Sequence, residues 1–392
     1  MTDPAQQRGE PAGIYVHLPF CKVKCAYCDF YSLAGQDDLA DSYVDALIGE
    51  VRAFPEAARY NPIVSSVYIG GGTPTHLPPG SVPRVLEAIA QTFALDHGAE
   101  ITVEANPESA TRGRLLEIRG GGANRLSLGA QSFESRLLAL MGRPHGPEGP
   151  EAAVKAAREC GFDNVSLDLI YGLPGQEGKD WRRDLERAAA LGPEHISAYL
   201  LETDKETPLA RAITAGGLPE PEQDLVAGLF DITEETLASA GYSRYEVSNW
   251  ARTGRECRHN LGYWNDRPYV GFGASSHSFY GGRRRACRLS AAEYIDAAAA
   301  GIPTRIDLDD GSRETRLTEA VITALRLSGG ADFDLLGARY GTDLWKLFGG
   351  ALEELSARGW AEVARPKVRL TRAGILWSLD ALTLFVDEPP AA

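Results

Sequence analysis

The sequence predicts an α/β fold, a partial (β/α)6 TIM-type barrel of parallel strands followed by a smaller C-terminal winged-helix-like α+β domain. Three observations predict it. First, six short apolar runs alternate with stretches of helical periodicity up to Leu200, and parallel strands need such crossover helices. Second, polar residues able to do chemistry follow several different runs at their C-terminal ends. Barrels distribute functional residues in this way, whereas an open doubly wound sheet gathers them at one switch point. Third, the pattern changes after Leu200 and ends in helices followed by two short strand-like runs.

The strand-like runs are Ile14–Leu18, Val67–Ile69, Ile101–Glu104, Arg125–Leu128, Val165–Ile170 and Ile196–Leu200. Between them, helical spacing of apolar residues covers Asp38–Phe54, Ser81–Phe93, Arg112–Ile118, Glu151–Cys160 and Trp181–Leu191. Pro219–Ala240 reads as a long helix, with short strands around Arg244–Val247. A loop rich in Gly and aromatics, Arg258–Tyr280, comes next, and then a connecting region, Gly281–Asp310. Helices are expected over Leu317–Leu327, Phe333–Tyr340 and Leu344–Arg358, strands over Ala361–Ala364 and Lys367–Leu370, and a last apolar helix over Thr371–Phe385. The domain boundaries follow: 1–12 a flexible polar tail, 13–215 the barrel, 216–310 an extension of it, and 311–392 the C-terminal domain.

The chain has 392 residues, 44% of them hydrophobic and 24% charged. It can therefore bury a core without disulfide staples. With 54 acidic and 40 basic residues the formal charge is −14. Nucleic-acid binding, which rests on clustered Lys and Arg, is thereby excluded as an expectation. No apolar run approaches ~18 residues, so no membrane span is expected. The first 13 residues carry no apolar stretch of a signal peptide, so the expected location is cytoplasmic.

Cys21, Cys25 and Cys28 stand within eight residues in His17-Leu-Pro-Phe-Cys-Lys-Val-Lys-Cys-Ala-Tyr-Cys-Asp-Phe, after the first strand. Three thiols at that spacing can converge on a soft metal centre, zinc or an iron–sulfur cluster. Structural zinc favours four ligands in two pairs, and no second pair exists: Cys160 falls in a helix, and Cys257 and Cys287 are isolated. A four-iron cluster on three cysteines leaves one iron open to another ligand. Lys22 and Lys24 flank the thiols and favour thiolates. Tyr68-Ile-Gly70-Gly71-Gly72-Thr73-Pro74 ends the second strand, where consecutive glycines let backbone approach a ligand. Glu104-Ala-Asn106-Pro107 ends the third; Asn106 is the better helix cap there, which leaves Glu104 for a ligand. Gln131 ends the fourth strand, with Arg143 twelve residues on. Asp168 sits in the otherwise apolar fifth strand, where an unpaired charge is costly.

The Cx3CxxC loop resembles that of the radical S-adenosylmethionine (SAM) superfamily. With IGGGTPT, EANP, RLSLGAQSF and DLIYGLPGQ, the series resembles its oxygen-independent coproporphyrinogen III oxidase branch, over about residues 13–390. The resemblance implies a [4Fe-4S] cluster on the three cysteines. It implies SAM at the open iron, its reductive cleavage to a 5′-deoxyadenosyl radical, and a SAM pocket of Tyr15, Tyr27, Gly71, Gly72, Thr73, Glu104, Gln131, Arg143 and Asp168. Arg143 would face the SAM carboxylate.

Three features depart from the oxidase: Phe30 replaces a fourth cysteine, only about a dozen residues precede the first strand, and Cys257-Arg-His259-Asn260-Leu-Gly-Tyr263-Trp264 resembles the HNxxYW motif of the branch's haem chaperones. The implied function is binding haem and passing it to haem-requiring acceptor proteins. His259, Asn260, Tyr263 and Trp264 are the candidate haem residues, because imidazole ligates iron and aromatic rings stack on porphyrin. His277 is a second ligand candidate and Cys257 an adventitious one, and Arg283–Arg285 are a weaker match to the propionates. The resemblance allows a homodimer formed on cluster binding and peripheral contact with membrane-bound acceptors. The alternative is an oxidase that decarboxylates two propionates by radical chemistry; a zinc-holding scaffold is a third reading. No catalytic residue is assigned.

Overall fold

The computed structural model describes residues 10–54, 63–309 and 311–386; the expected tail lies outside them up to residue 9. Six parallel strands stand side by side in chain order: β1 (Ala12–Leu18), β2 (Val64–Gly71), β3 (Leu95–Ala105), β4 (Arg125–Gln131), β5 (Val165–Tyr171) and β6 (His195–Leu200). β4 is buried throughout and β5 at every position but Asp168. Burial on both faces is what a parallel sheet flanked by helices requires. The crossover helices are Ala40–Arg52, Ser81–Thr92, Arg112–Gly120, Gly149–Glu159 and Gly178–Ala190. Two more helices, Ser135–Met141 and Pro208–Thr214, escaped the sequence reading. Two turns are too short to establish a period.

The sheet continues beyond the barrel strands. β7 (Ser243–Glu246) and β8 (Asn249–Ala251) form an antiparallel pair, and β8 adds to β6. On the opposite edge β9 (Tyr269–Phe272) runs parallel to β1. β10 (His277–Tyr280), β11 (Arg283–Ala286) and β12 (Ile306–Asp307) follow antiparallel, which completes a 12-stranded sheet. This corrects two expectations. The loop over Arg258–Tyr280 holds the helix Arg258–Trp264, β9 and β10, and the connecting region holds β11, the helix Ala291–Ala299 and β12. Four-residue runs carry little periodicity. They become strands because the backbone groups along the edge of β1 must be paired.

Residues 313–383 form the C-terminal domain. It has the helix Arg313–Leu325, a short strand Ala331–Asp332, the helix Phe333–Tyr340, and a hairpin of Ala361–Ala364 with Lys367–Leu370 whose second strand also pairs with Ala331–Asp332. Two expected helices are each broken. Leu344–Leu347 and Gly349–Ala357 part at Phe348, which leaves helical geometry to bury its ring against Phe385, 5.2 Å away. Arg372–Leu376 and Ser378–Thr383 part at Trp377, which stacks on Trp360. No helix among the described residues is long and apolar enough to cross a membrane.

The helix after β5 is fixed by Trp181, fully buried, whose indole N–H donates to Thr233 Oγ1 at 2.8 Å on the helix Gln223–Ser239. Trp181→Ala is expected to lower the unfolding free energy by about 3–5 kcal/mol, since it opens a cavity as well as losing apolar burial. An unchanged denaturant midpoint would contradict that packing role.

Candidate functional site

The cysteine loop is built from backbone upward. A short parallel pair, Phe20–Cys21 with Leu33–Ala34, closes its ends. The glycine turn is then pressed onto it: the amide of Gly72 donates to Leu18 O and that of Thr73 to Phe20 O, both at 2.8 Å. A Cβ on Gly72 would stand 2.6 Å from Phe20 O, one on Gly70 2.6 Å from the Glu104 carboxylate, and one on Gly71 (φ +104°) 2.5 Å from the His17 ring. The glycines are therefore needed for packing between the loop and β3. The amides of Gly71, Gly72 and Thr73 all have protein acceptors, so the turn keeps no amide for a ligand.

Thr73 Oγ1 donates to Cys21 Sγ at 3.5 Å and Arg143 Nη1 to Cys25 Sγ at 3.4 Å. Lys24 holds the loop by donating to Phe30 O and Ser32 O. Tyr27 packs with Ala26 against Leu137, Leu138 and Met141, and the Ala26 amide donates to Met141 O. Burial pushes the Cys21 thiol up to about 11 and raises that of Cys28, so binding a metal here must expel protons.

Around the loop, the strand ends bring their acids together. Glu104 accepts from the Tyr68 hydroxyl at 2.8 Å and from Gly71 N at 3.1 Å, so it is anchored and not free, and burial pushes it up to about 7. Asp168 is ringed by the hydroxyls of Ser127, Ser166 and Ser197 from β4, β5 and β6, and burial raises it also. Gln131, at φ +64°, occupies the left-handed region, and its side-chain amide has no partner among the described residues. Strain of this kind gathers where a side chain must be aimed.

Two expectations are corrected here. Asn106 is not a helix cap; Thr111 caps the next helix, accepting from Arg114 N. Asn106 instead donates to Thr73 Oγ1 at 2.9 Å and accepts from Arg143 Nη2 at 2.7 Å, tying the two donors to sulfur together. It was missed as a site residue, and only its position after a strand hinted at the role. Nor does Arg143 present an open fork to a carboxylate. Nη2 donates to Asn106 and to Gly129 O, Nη1 to Cys25, and Nε to His145.

The helix Arg258–Trp264 gives the third correction. His259 is buried, with Nδ1 2.9 Å from Ser66 Oγ and Nε2 2.8 Å from the Tyr263 hydroxyl. Burial pushes it down to about 3. Both nitrogens are engaged by the protein, so His259 offers iron no lone pair; it pins the helix between Gly13 of β1 and Ser66 of β2. The half-buried Asn260 makes no side-chain hydrogen bond among the described residues. Cys257 is fully buried, 3.5 Å from Glu100 Oε1, and pushed up to about 12, which makes it structural. The same Glu100 oxygen accepts from the amides of Arg258 and His259 and so caps this helix from β3, a role the sequence did not disclose.

Tyr263 and Trp264, on the same helix, line a cavity of about 500 Å³. Tyr15, Phe30, Tyr269 and Phe279 add further aromatic wall, and the C-terminal domain contributes Thr323. Trp264 is braced by the Arg326 guanidinium, 4.6 Å above its ring. The Arg283–Arg285 cluster is spent in ion pairs: Arg283 and Arg285 on Asp307, Arg284 on Glu319.

The donor chemistry fits the implied groups. Among the described residues no three His, Cys, Asp or Glu side chains converge to hold one ion. Cysteines that bind three different irons of a cluster need no such common point, and donors to their sulfurs are in place. A cavity of this size with aromatic walls falls in the range of about 300–1,000 Å³ usual for small-molecule sites.

Residues 15–188 match the radical SAM superfamily model and residues 312–377 the HemN C-terminal domain. The chain is 34% identical to the heme chaperone HemW of Bacillus subtilis, over 95% of this chain and 99% of that protein. It is 37% identical to the heme chaperone HemW of Mycobacterium tuberculosis, over 85% and 86%. In structure it is similar to the coproporphyrinogen III oxidase HemN of Escherichia coli, a radical SAM enzyme. The TM-score is 0.83 at 26% identity, covering 97% of this chain and 91% of that one.

Two outcomes test the geometry. Gly72→Ala is expected to leave the helical content of the chain intact but to displace the cysteine loop, with a several-fold loss of iron after anaerobic reconstitution; full loading would refute the backbone contact. Glu104 holds its proton to about pH 7 in the folded chain against an ordinary 4.5. The folded form therefore binds more protons between those values, and this group's contribution is complete at low pH and lost as pH rises to about 7. From about pH 5 to about pH 8 the wild type should lose stability relative to Glu104→Gln; parallel curves would exclude the raised value.

Proposed function

Because the chain belongs to the radical SAM superfamily, in its coproporphyrinogen oxidase-like branch together with the HemW proteins, we propose that it is a haem chaperone. It binds haem and passes it to haem-requiring acceptor proteins, with a [4Fe-4S] cluster on Cys21, Cys25 and Cys28 and exchangeable SAM beside it. The observation that carries this reading is the aromatic cavity of about 500 Å³, lined both by Asp29, Phe30 and Tyr31, which directly follow Cys28, and by Tyr263 and Trp264 of the helix Arg258–Trp264. When bound, a four-iron cluster with an open iron supplies a docking point for SAM and an electron for its cleavage.

The chain's own residues would do the rest. Thr73 and Arg143 direct N–H and O–H groups at sulfur and so offset its negative charge. Gln131 offers an amide without a partner among the described residues. The lone pairs that Glu104 and Asp168 keep beyond their bonds to Tyr68, Gly71 and the three serines would accept from an ammonium or ribose hydroxyls. Tyr263 and Trp264 supply surface on which a macrocycle stacks. A cytoplasmic location, a homodimer formed on cluster binding and peripheral contact with membrane-bound acceptors belong to the same proposal.

One observation favours a second reading. The likeness to HemN covers nearly the whole chain, which is consistent with oxidase activity. One experiment separates the readings: anaerobic reconstitution of the full chain, assayed for iron, sulfide, haem and 5′-deoxyadenosine, with coproporphyrinogen III supplied in a parallel sample. The chaperone reading expects about four irons and four sulfides per chain, stoichiometric haem, and no protoporphyrinogen. Cys21→Ala, Cys25→Ala or Cys28→Ala should abolish the cluster. Formation of protoporphyrinogen would establish the oxidase, and one zinc without sulfide would establish a scaffold.

A further inference from the structure

The geometry points to His277 as the axial ligand of haem bound in the 500 Å³ cavity, with Arg267 at its rim facing a propionate. The assignment deepens the chaperone reading and rests on it.

Two histidines line the cavity, His17 and His277. His17 is buried, its Nδ1 2.9 Å from the Tyr15 hydroxyl and its Nε2 2.8 Å from Tyr31 O. His277 is exposed, and neither of its ring nitrogens has a hydrogen-bond partner among the described residues. His259 does not line the cavity and has both nitrogens occupied. His277 is therefore the imidazole here with a lone pair free for iron.

The turn that presents it is held under strain. Ser275, two residues before, has φ +61°, and Gly273 has φ +95°. The turn is fixed from several sides: Gly273 N donates to Glu50 Oε2, Ala274 N to the Tyr43 hydroxyl, Ser275 N to Cys287 O, and Cys287 N to Ser276 O. Strained backbone persists only where the surroundings over-determine it, and it clusters at ligand clamps. Gly271 permits the arrangement, since a Cβ there would stand 2.1 Å from His277 O. Partial desolvation against the cavity wall, with Arg284 and Arg288 nearby, lowers the pKa of His277 although the residue as a whole is exposed, which favours the neutral ring able to ligate.

The walls suit a porphyrin. Phe30, 65% exposed, lines the cavity together with Tyr263 and Trp264. Haem carries two carboxylates, and they need cations. Arg284 lines the cavity but is paired with Glu319 at 2.7 Å. Arg267 is exposed and forms no ion pair among the described residues. Its neighbour Asp266 is buried and accepts from the Tyr340 hydroxyl at 2.5 Å, which anchors this stretch to the C-terminal domain.

The test is haem titration of the reconstituted full chain, followed by difference absorption against the haem-free protein and by electron paramagnetic resonance. His277→Ala should raise the apparent Kd tenfold or more and remove the signature of imidazole ligation. Added imidazole should restore that signature, an outcome that a merely structural defect does not produce. Arg267→Gln should weaken binding several-fold without changing the spectrum. His259→Gln, checked for folding by circular dichroism, should keep the wild-type haem spectrum. If His277→Ala binds haem with unchanged spectrum and affinity, the ligand assignment falls and the chaperone reading stands. If the wild type binds no haem, both fall.

Discussion

A Cβ at residue 72 would lie 2.6 Å from the carbonyl oxygen of Phe20 and 2.7 Å from its nitrogen. That lack of room decides where the cysteines stand. The loop carrying them has little regular structure of its own beyond a two-residue strand pair, and it gains position by lying directly on the end of β2. From there Thr73 reaches one sulfur, Asn106 reaches Thr73, and Arg143 closes the chain onto a second sulfur. The donors that surround the thiols are thus referred back to the glycine turn. A methyl group at that turn would move the loop and its donors together, and this is why the turn constrains the site more than any single hydrogen bond in it.

The barrel interior is unusually polar for a core. Tyr15, Tyr68 and Glu104 meet there, and Asp168 sits among three serines. Arg125 is 2% exposed, with its Nε unpartnered among the described residues. Burying such groups costs energy unless they are satisfied. The shell of helices, with anchors such as Trp181 and Tyr43, supplies the apolar burial that offsets the cost. Raised carboxyl pKa values follow directly: among the described residues Glu104 and Asp168 have no hydrogen-bonded cation and are held by hydroxyls and an amide. Carboxyls in this state are poised to gain a charged or hydroxylated ligand, because such a ligand relieves the desolvation that protonates them.

The helix Arg258–Trp264 joins three parts of the molecule. Its N-terminus is capped by Glu100 of β3, His259 enters the barrel at Ser66, and Tyr263 and Trp264 face the cavity. From the other side Arg326 covers Trp264, and Tyr340 holds Asp266 just beyond the helix. The C-terminal domain therefore forms part of the cavity's surroundings. The aromatic wall is thus held between the barrel and this domain.

The barrel strands, their crossover helices and the cysteine cluster were legible in the sequence because each depends on short-range order. Strand and helix periods repeat within a few residues, and thiols at spacings of four and three can gather around one centre without help from distant chain. Glu104 and Asp168 were visible as polar interruptions of apolar runs. What the sequence left open was decided by partners far away along the chain. His259 looked like an available ligand until Ser66, 193 residues distant, proved to occupy one nitrogen. Arg143 looked like an open fork until Asn106 and Gly129 took its hydrogens. His277 stood out little in the sequence, and its free imidazole emerges only when residues near 15–31, 263–284 and 323 enclose one cavity. Residue type sets what a side chain can donate or accept, and that much is written locally. Whether the capacity is already spent depends on which groups the folded chain brings within hydrogen-bonding distance, and that is a property of the tertiary structure alone.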